Sequence, residues 1–182
     1  MNPANALTLS RILVVPIIAL LLLDGGFWPS FAAAVLFILA SITDWLDGYL
    51  ARAYHMESNL GRLLDPLADK ILIVAVLIFL IPLGRVPAWM AAVIIIRELV
   101  VTGVRAIAAE RQIIIAANWL GKYKTAFQIA ACIPLLFPSP FLTAQMHTAG
   151  LYFLWIATFF AVWSGWDYVY DYFLQAFRDS AA

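Results

Sequence analysis

Four aspartates stand in two closely spaced pairs in the first half of the chain. Asp44 and Asp47 are three residues apart, and Asp65 and Asp69 are four residues apart. On an α-helix, residues at these spacings share one face. Two antiparallel helices joined by a short link would therefore direct all four carboxylates toward one point.

Carboxylates held that close would repel one another unless cations lay between them. No histidine or cysteine falls at matching positions. Ligand sets made only of oxygen are typical of magnesium, manganese and calcium rather than of zinc. The spacing thus predicts a divalent metal site.

Three small residues, Gly48, Ala51 and Gly61, fall on the same helix faces as the aspartates. Small residues let two helices pack closely, and they also leave space for a ligand beside the backbone. The pattern is compatible with either role.

Four basic residues form a second group, namely Arg97, Arg105, Lys122 and Lys124. The two arginines are eight residues apart, which places them broadly on the same side of a helix. A phosphate on a second substrate would give these cations a partner. The alternative is pairing with Glu98 and with lipid headgroups, as is common at a membrane surface.

Six apolar segments must position these residues. A helix that crosses a membrane needs about 20 apolar residues, and predominantly apolar runs cover 7–23, 29–52, 61–82, 87–110, 119–137 and 145–173. Glycines and prolines separate the runs. No small-residue cleavage site follows the first run, so we expect a retained helix rather than a secretory signal. The sequence predicts an all-α polytopic membrane protein with six transmembrane helices, forming one domain over residues 1–182.

Composition agrees with that class. Of the 182 residues, 65% are hydrophobic and 12% are charged, whereas soluble domains carry about 25% charged residues. Eleven basic residues balance eleven acidic ones, which leaves no cationic surface for nucleic acid. The lone Cys132 excludes an internal disulfide and a cysteine-ligated zinc. A soluble enzyme, a disordered chain and a nucleic-acid-binding protein are therefore excluded.

The distribution of the basic residues predicts the orientation of the six spans in the membrane. If the amino terminus is cytoplasmic and six spans alternate, ten of the eleven basic residues lie at or near the cytoplasmic side, and only Arg85 lies outside. This positive-inside bias places both termini in the cytoplasm. The aromatic residues at the end of the last span predict a belt at the membrane interface, formed by Trp166, Tyr168, Tyr170 and Tyr172.

The aspartate motifs resemble those of a known family. The run DxxDGxxAR over 44–52, followed after eight residues by GxxxDxxxD over 61–69, resembles the signature of the CDP-alcohol phosphotransferases. These membrane enzymes transfer a phosphatidyl-type group from a CDP-linked lipid to an alcohol. The segment 5–11 is similar to the amino-terminal element of the family. The segments 97–105 and 121–125 resemble its bacterial branch with glycerol 3-phosphate as acceptor, which implies a bacterial inner-membrane location.

The resemblance implies attack of a glycerol 3-phosphate hydroxyl on the lipid-side phosphorus of CDP-diacylglycerol, with CMP leaving. One or two Mg²⁺ or Mn²⁺ ions would be held by Asp44, Asp47, Asp65 and Asp69. The last of these, Asp69, also resembles the catalytic base of the family. Contact with membrane lipids and a homodimer are implied as well.

Substrate-binding residues are implied by the same match. Family positions near the CDP group correspond to Thr8, Arg11, Gly48, Ala51, Arg52 and Gly61. The acceptor phosphate would lie against Arg97, Arg105, Lys122 and Lys124.

Two alternatives remain at this point. Another member of the family with a different acceptor, such as a cardiolipin synthase or an inositol-phosphate transferase, would share the aspartate motifs. A divalent-cation transporter would also place carboxylates inside the membrane. A transporter needs polar residues through the full thickness of the membrane, whereas the outer halves of spans two to four are uncharged.

Overall fold

The computed structural model contains six α-helices in the part of the chain that it describes. The backbone is described over residues 3–54, 59–111, 119–138 and 144–180, and side chains over 12–43, 70–111, 119–138 and 145–175. The helices are α1 (Pro3–Asp24), α2 (Phe27–Tyr54), α3 (Asn59–Leu80), α4 (Ala88–Glu110), α5 (Trp119–Leu136) and α6 (Ala144–Ser180). No strand occurs within these ranges, so the predicted all-α class is confirmed.

Each predicted apolar segment corresponds to one helix. The ends agree to within about one turn, except that α6 continues to Ser180. Two of the connections turn at glycines with positive φ, Gly25 at 63° and Gly84 at 68°. A side chain is strained in this left-handed region, which explains why glycine occupies these positions in the two links.

Helices α3 and α5 lie at the centre of the packing. Helix α3 contacts α1, α4 and α5, while α5 contacts α2, α3 and α6. Fully buried apolar side chains come from all six helices, and they include Ile18, Phe37, Leu77, Ile94, Leu135 and Leu154. We call the end of the bundle that carries the aspartate motifs the polar end, and the opposite end, which carries Arg85, the apolar end. Among the described side chains, the buried apolar core lies toward the apolar end.

Many large apolar side chains face outward, including Leu20, Trp28 and Leu99. Within the described ranges, one helical segment, Gln145–Gln175 of α6, is long and apolar enough to cross a membrane. Shorter apolar stretches lie in α1, α2 and α3, at Ile12–Asp24, Phe27–Thr43 and Lys70–Leu80. Such extensive apolar surface requires a cover of lipid or protein. Six membrane crossings remain a prediction.

Arg85 ties helix ends together at the apolar end. Its Nη1 donates hydrogen bonds to the carbonyl oxygens of Leu136 at 2.8 Å and Leu135 at 3.5 Å, and its Nη2 donates to Ser30 Oγ at 3.3 Å. The last carbonyls of a helix lack partners within the helix and carry partial negative charge, so a cation stabilises them. Partial burial lowers the pKa of the Arg85 guanidinium, which still stays protonated at physiological pH.

The most extensive contact between two helices joins α5 to α6, and one glycine permits their close approach. A Cβ atom added at Gly150 would lie 2.9 Å from Leu135 Cγ and 3.1 Å from Pro134 Cγ. Farther along the same contact, the ring of Phe127 stacks on those of Phe153 and Phe160, with centroid distances of 6.2 and 5.7 Å. Gly150 therefore sets the spacing of these two helices.

We expect Gly150→Ala to lower the free energy of unfolding by about 1–2 kcal/mol, because overpacking a tight core outweighs the better helix propensity of alanine. The matched control is Gly103→Ala in α4, where an added Cβ meets no atom within 4 Å. That variant should be neutral or slightly stabilising. Thermal unfolding of both proteins in one detergent provides the measurement, and equal stability of the two would contradict the assigned role of Gly150.

Candidate active site

The backbone places the aspartate motifs on two consecutive helices at the polar end. Asp44 and Asp47 belong to α2, and Asp65 and Asp69 belong to α3. The predicted helical spacing of both pairs is therefore confirmed. Their side chains lie outside the described set, and the same limit applies to the surroundings of the predicted CDP-binding residues Thr8, Arg11, Gly48, Ala51, Arg52 and Gly61. Among the side chains that are described, no three His, Cys, Asp or Glu residues come together.

A buried carboxylate, Glu98 of α4, organises the described part of the polar end. Its Oε1 accepts hydrogen bonds from Lys124 Nζ of α5 and, at 3.2 Å, from Arg97 Nη1. Lys70 Nζ of α3 lies 4.0 Å from Oε2. Glu98 thus joins α3, α4 and α5 through charge. Three cations around one carboxylate leave two positive charges in excess in this cluster.

Thr102 completes the link between α3 and α4. Lys70 Nζ donates to Thr102 Oγ1 at 2.8 Å, and Thr102 Oγ1 donates to the backbone carbonyl of Glu98 at 2.7 Å. Residues four apart on a helix stand one above the other, so Thr102 continues the Glu98 face toward the polar end.

The two arginines of α4 both reach α6. Arg97 Nη2 donates to Ser164 Oγ at 2.8 Å, and a Cβ atom added at the adjacent Gly165 would lie 3.0 Å from Arg97 Cγ. Arg105 Nε donates to Tyr168 Oη at 3.3 Å, and its Cζ lies 5.2 Å from the centroid of the same ring. The predicted common orientation of the two arginines is confirmed.

The two lysines of α5 have different environments. Lys124 is buried beside Glu98, whereas Lys122 is exposed, with its Nζ 4.8 Å from the centroid of the Trp119 ring. A spacing of two residues rotates a side chain by about 200° around a helix, which accounts for the difference. Lys122 is therefore accessible to a ligand, whereas Lys124 is already paired with Glu98 in the buried cluster.

The four residues of the predicted aromatic belt differ in exposure. Trp166 and Tyr170 are exposed, but Tyr168 and Tyr172 are buried. These two are four residues apart and share the inner face of α6. Tyr168 thus serves as a partner for Arg105, a role that the composition of the segment did not indicate.

A cavity of about 170 Å³ lies between α3, α4 and α5 beside the Glu98 cluster. Its polar wall is formed by Lys70, Glu98, Lys124, Thr125 and Gln128, and its apolar wall by Ile73, Val74 and Ile94. Two buried atoms of this lining, Glu98 Oε2 and Gln128 Nε2, have no hydrogen-bond partner among the described residues. Sequence analysis missed Gln128, although its spacing of four from Lys124 places both on one face.

Comparison with known proteins links the chain to one family. A sequence model of the CDP-alcohol phosphatidyltransferase family matches residues 1–163. A protein of Bacillus subtilis named CDP-diacylglycerol–glycerol-3-phosphate 3-phosphatidyltransferase is 44% identical over 180 residues, covering 92% of this chain and 93% of the relative. A Rickettsia typhi protein of the same name is 36% identical over 168 residues, covering 92% and 94%. A probable phosphatidylglycerophosphate synthase of Mycobacterium tuberculosis is 42% identical over 181 residues, covering 98% and 83%.

We expect Glu98→Gln to lower the free energy of unfolding by about 3 kcal/mol, because it leaves the buried Lys124 ammonium without its counter-charge. The matched control is Glu110→Gln at the exposed end of α4, which should change stability by less than about 0.5 kcal/mol. Combining Glu98→Gln with Lys124→Met should recover part of the loss. Chemical unfolding in detergent measures all three variants, and a double variant less stable than Glu98→Gln would contradict the pairing.

Proposed function

The chain belongs to the CDP-alcohol phosphatidyltransferase family, and we infer from this that it is a CDP-diacylglycerol–glycerol-3-phosphate 3-phosphatidyltransferase. It transfers the phosphatidyl group from CDP-diacylglycerol to sn-glycerol 3-phosphate, giving phosphatidylglycerol phosphate and CMP. The observation that carries this conclusion is identity of 36–44% to proteins of that name over more than nine-tenths of both chains.

We propose that all six helices cross a bacterial inner membrane, with both termini and the polar end in the cytoplasm. The concentration of basic residues at the polar end and the apolar outer surface of the helices support this arrangement. It gives water-soluble glycerol 3-phosphate and CMP direct access to the site while CDP-diacylglycerol stays in the membrane. We also propose a single domain over 1–182, contact with membrane lipids and a homodimer.

The donor set of α2 and α3 fits a magnesium or manganese site. Oxygen ligands in two helical pairs suit hard divalent cations, and the substrate diphosphate adds further oxygens. We propose that one or two ions are held by Asp44, Asp47, Asp65 and Asp69. When bound, the metal would neutralise the negative charge that develops on departing CMP.

Proton transfer at the acceptor hydroxyl is assigned to Asp69. The hydroxyl oxygen attacks the lipid-side phosphorus, the phosphorus–oxygen bond to CMP breaks, and the hydroxyl proton passes to the Asp69 carboxylate. A carboxylate is a suitable general base when the attacking oxygen is held within hydrogen-bonding reach. Positioning of both substrates then supplies much of the remaining rate enhancement.

The sites for CDP-diacylglycerol and for the acceptor use different basic side chains in this proposal. We propose that CDP lies against Thr8, Arg11, Gly48, Ala51, Arg52 and Gly61. The acceptor phosphate is placed between Arg105 and Lys122, which have partners other than acids in the described structure. Glu98 is surrounded by Arg97, Lys124 and Lys70. The excess positive charge of this cluster would attract the acceptor phosphate to the polar end.

Activity should require magnesium or manganese and disappear in excess chelator, because the diphosphate cannot approach four aspartates without a bridging cation. Asp44→Asn, Asp47→Asn and Asp65→Asn should each remove most turnover while the protein remains folded in the membrane. A radiolabel assay with CDP-diacylglycerol and glycerol 3-phosphate checks this. Full activity in chelator would eliminate the metal assignment.

Arg105→Ala and Lys122→Ala should each lower kcat/KM for glycerol 3-phosphate by about ten- to a hundredfold, the effect of about 1.5–3 kcal/mol for a charge-assisted contact. The loss should appear mainly as a higher KM for the acceptor, with the KM for CDP-diacylglycerol nearly unchanged. Arg111→Ala, which removes an exposed arginine just after α4, is the matched control and should retain activity. Losses confined to the lipid donor would move Arg105 and Lys122 to the CDP site.

A further inference from the structure

Within the described part of the chain, the cavity beside Glu98 presents one donor and one acceptor that have no hydrogen-bond partner. Gln128 Nε2 is the donor and Glu98 Oε2 is the acceptor, and the two residues are only 2% and 6% exposed. A buried polar group without a partner is costly. A hydroxyl group donates one hydrogen bond and accepts others, so it offers both the acceptor and the donor that these two atoms lack.

The rest of the lining favours a small polyol over other ligands. Ile73, Val74 and Ile94 offer apolar surface to carbon atoms, while Lys70 and Lys124 add positive charge. One carboxylate between lysines is a poor site for a metal cation, and the same carboxylate repels an anion placed against it. A volume of about 170 Å³ accommodates a three-carbon chain.

Two of the residues assigned to the reaction occupy helix positions close in sequence to the lining of the cavity. Asp69 stands four residues before Ile73 on α3, so the two positions lie on one face of that helix. Arg105 follows Glu98 by seven residues on α4, about 10 Å along the axis, and side chains in a helix lean toward its amino terminus, which for α4 is toward the cavity.

We propose that this cavity receives the glycerol part of the acceptor, and that Gln128 and Glu98 bind its secondary, non-reacting hydroxyl. This proposal rests on the proposed function and adds to it the residues that select the acceptor by its carbon chain rather than by its phosphate. Gln128 Nε2 donates to the hydroxyl oxygen, and the hydroxyl donates to Glu98 Oε2. The primary hydroxyl is then left to face Asp69.

The test compares glycerol 3-phosphate with 3-hydroxypropyl phosphate, which keeps the phosphate and the reacting primary hydroxyl but lacks the secondary hydroxyl. The wild-type enzyme should favour glycerol 3-phosphate by about ten- to a hundredfold in kcat/KM, because the analogue leaves both buried groups unpaired. Gln128→Met should lose most of that preference by lowering kcat/KM for glycerol 3-phosphate, with less than about a threefold change for the analogue.

The matched control is Thr158→Val, which removes a buried hydroxyl on α6 that donates to the Leu154 carbonyl away from the cavity. It should keep the wild-type preference. Equal use of both acceptors by the wild type would show that the cavity holds only water, and would overturn the proposal without any variant. An equal loss for both acceptors in Gln128→Met would assign Gln128 a purely structural role. If the wild type forms no product from glycerol 3-phosphate, the proposed function itself fails, together with this inference.

Discussion

The polar end of the bundle depends on the burial of one carboxylate among three cations. Glu98 accepts hydrogen bonds from Lys124 and Arg97, and Lys70 lies within ion-pair distance. Moving such charges out of water is costly unless each has partners in good geometry. The cluster therefore fixes the relative rotation of α3, α4 and α5, and Arg97 extends the constraint to α6 through Ser164. The two positive charges in excess add positive potential to the polar end, where we propose that the acceptor phosphate binds.

The positions of the helices were predictable, because they follow from local properties of the sequence. Apolar runs of about one membrane thickness, separated by glycines and prolines, gave all six helices with ends correct to about one turn, apart from the extension of α6. The aspartate spacing gave the helical register of the motifs. Each of these signals is contained in a short stretch of chain.

The partners of individual side chains were less predictable, because they depend on how each helix is rotated against its neighbours. Lys122 and Lys124 differ by two positions, yet one is exposed and the other buried. Tyr168 and Tyr170 are both interfacial by composition, and only the packing of α6 turns Tyr168 toward Arg105. Gln128 gave no signal by type or motif. Its importance comes from a cavity formed by residues that are far apart in the sequence.

The contacts of Arg85 have a mechanical consequence. The Arg85 guanidinium, in the link between α3 and α4, binds both the last turn of α5 and the start of α2. It therefore connects α2, α3, α4 and α5 at one point. Helices joined in this way at one end can separate at the opposite end only by rotating about the Arg85 contacts. A lipid donor with two acyl chains must enter between helices and its product must leave by a similar route. Separation of these helices at the apolar end would require breaking the contacts of this guanidinium, whereas at the polar end the Glu98 cluster holds α3, α4 and α5 together.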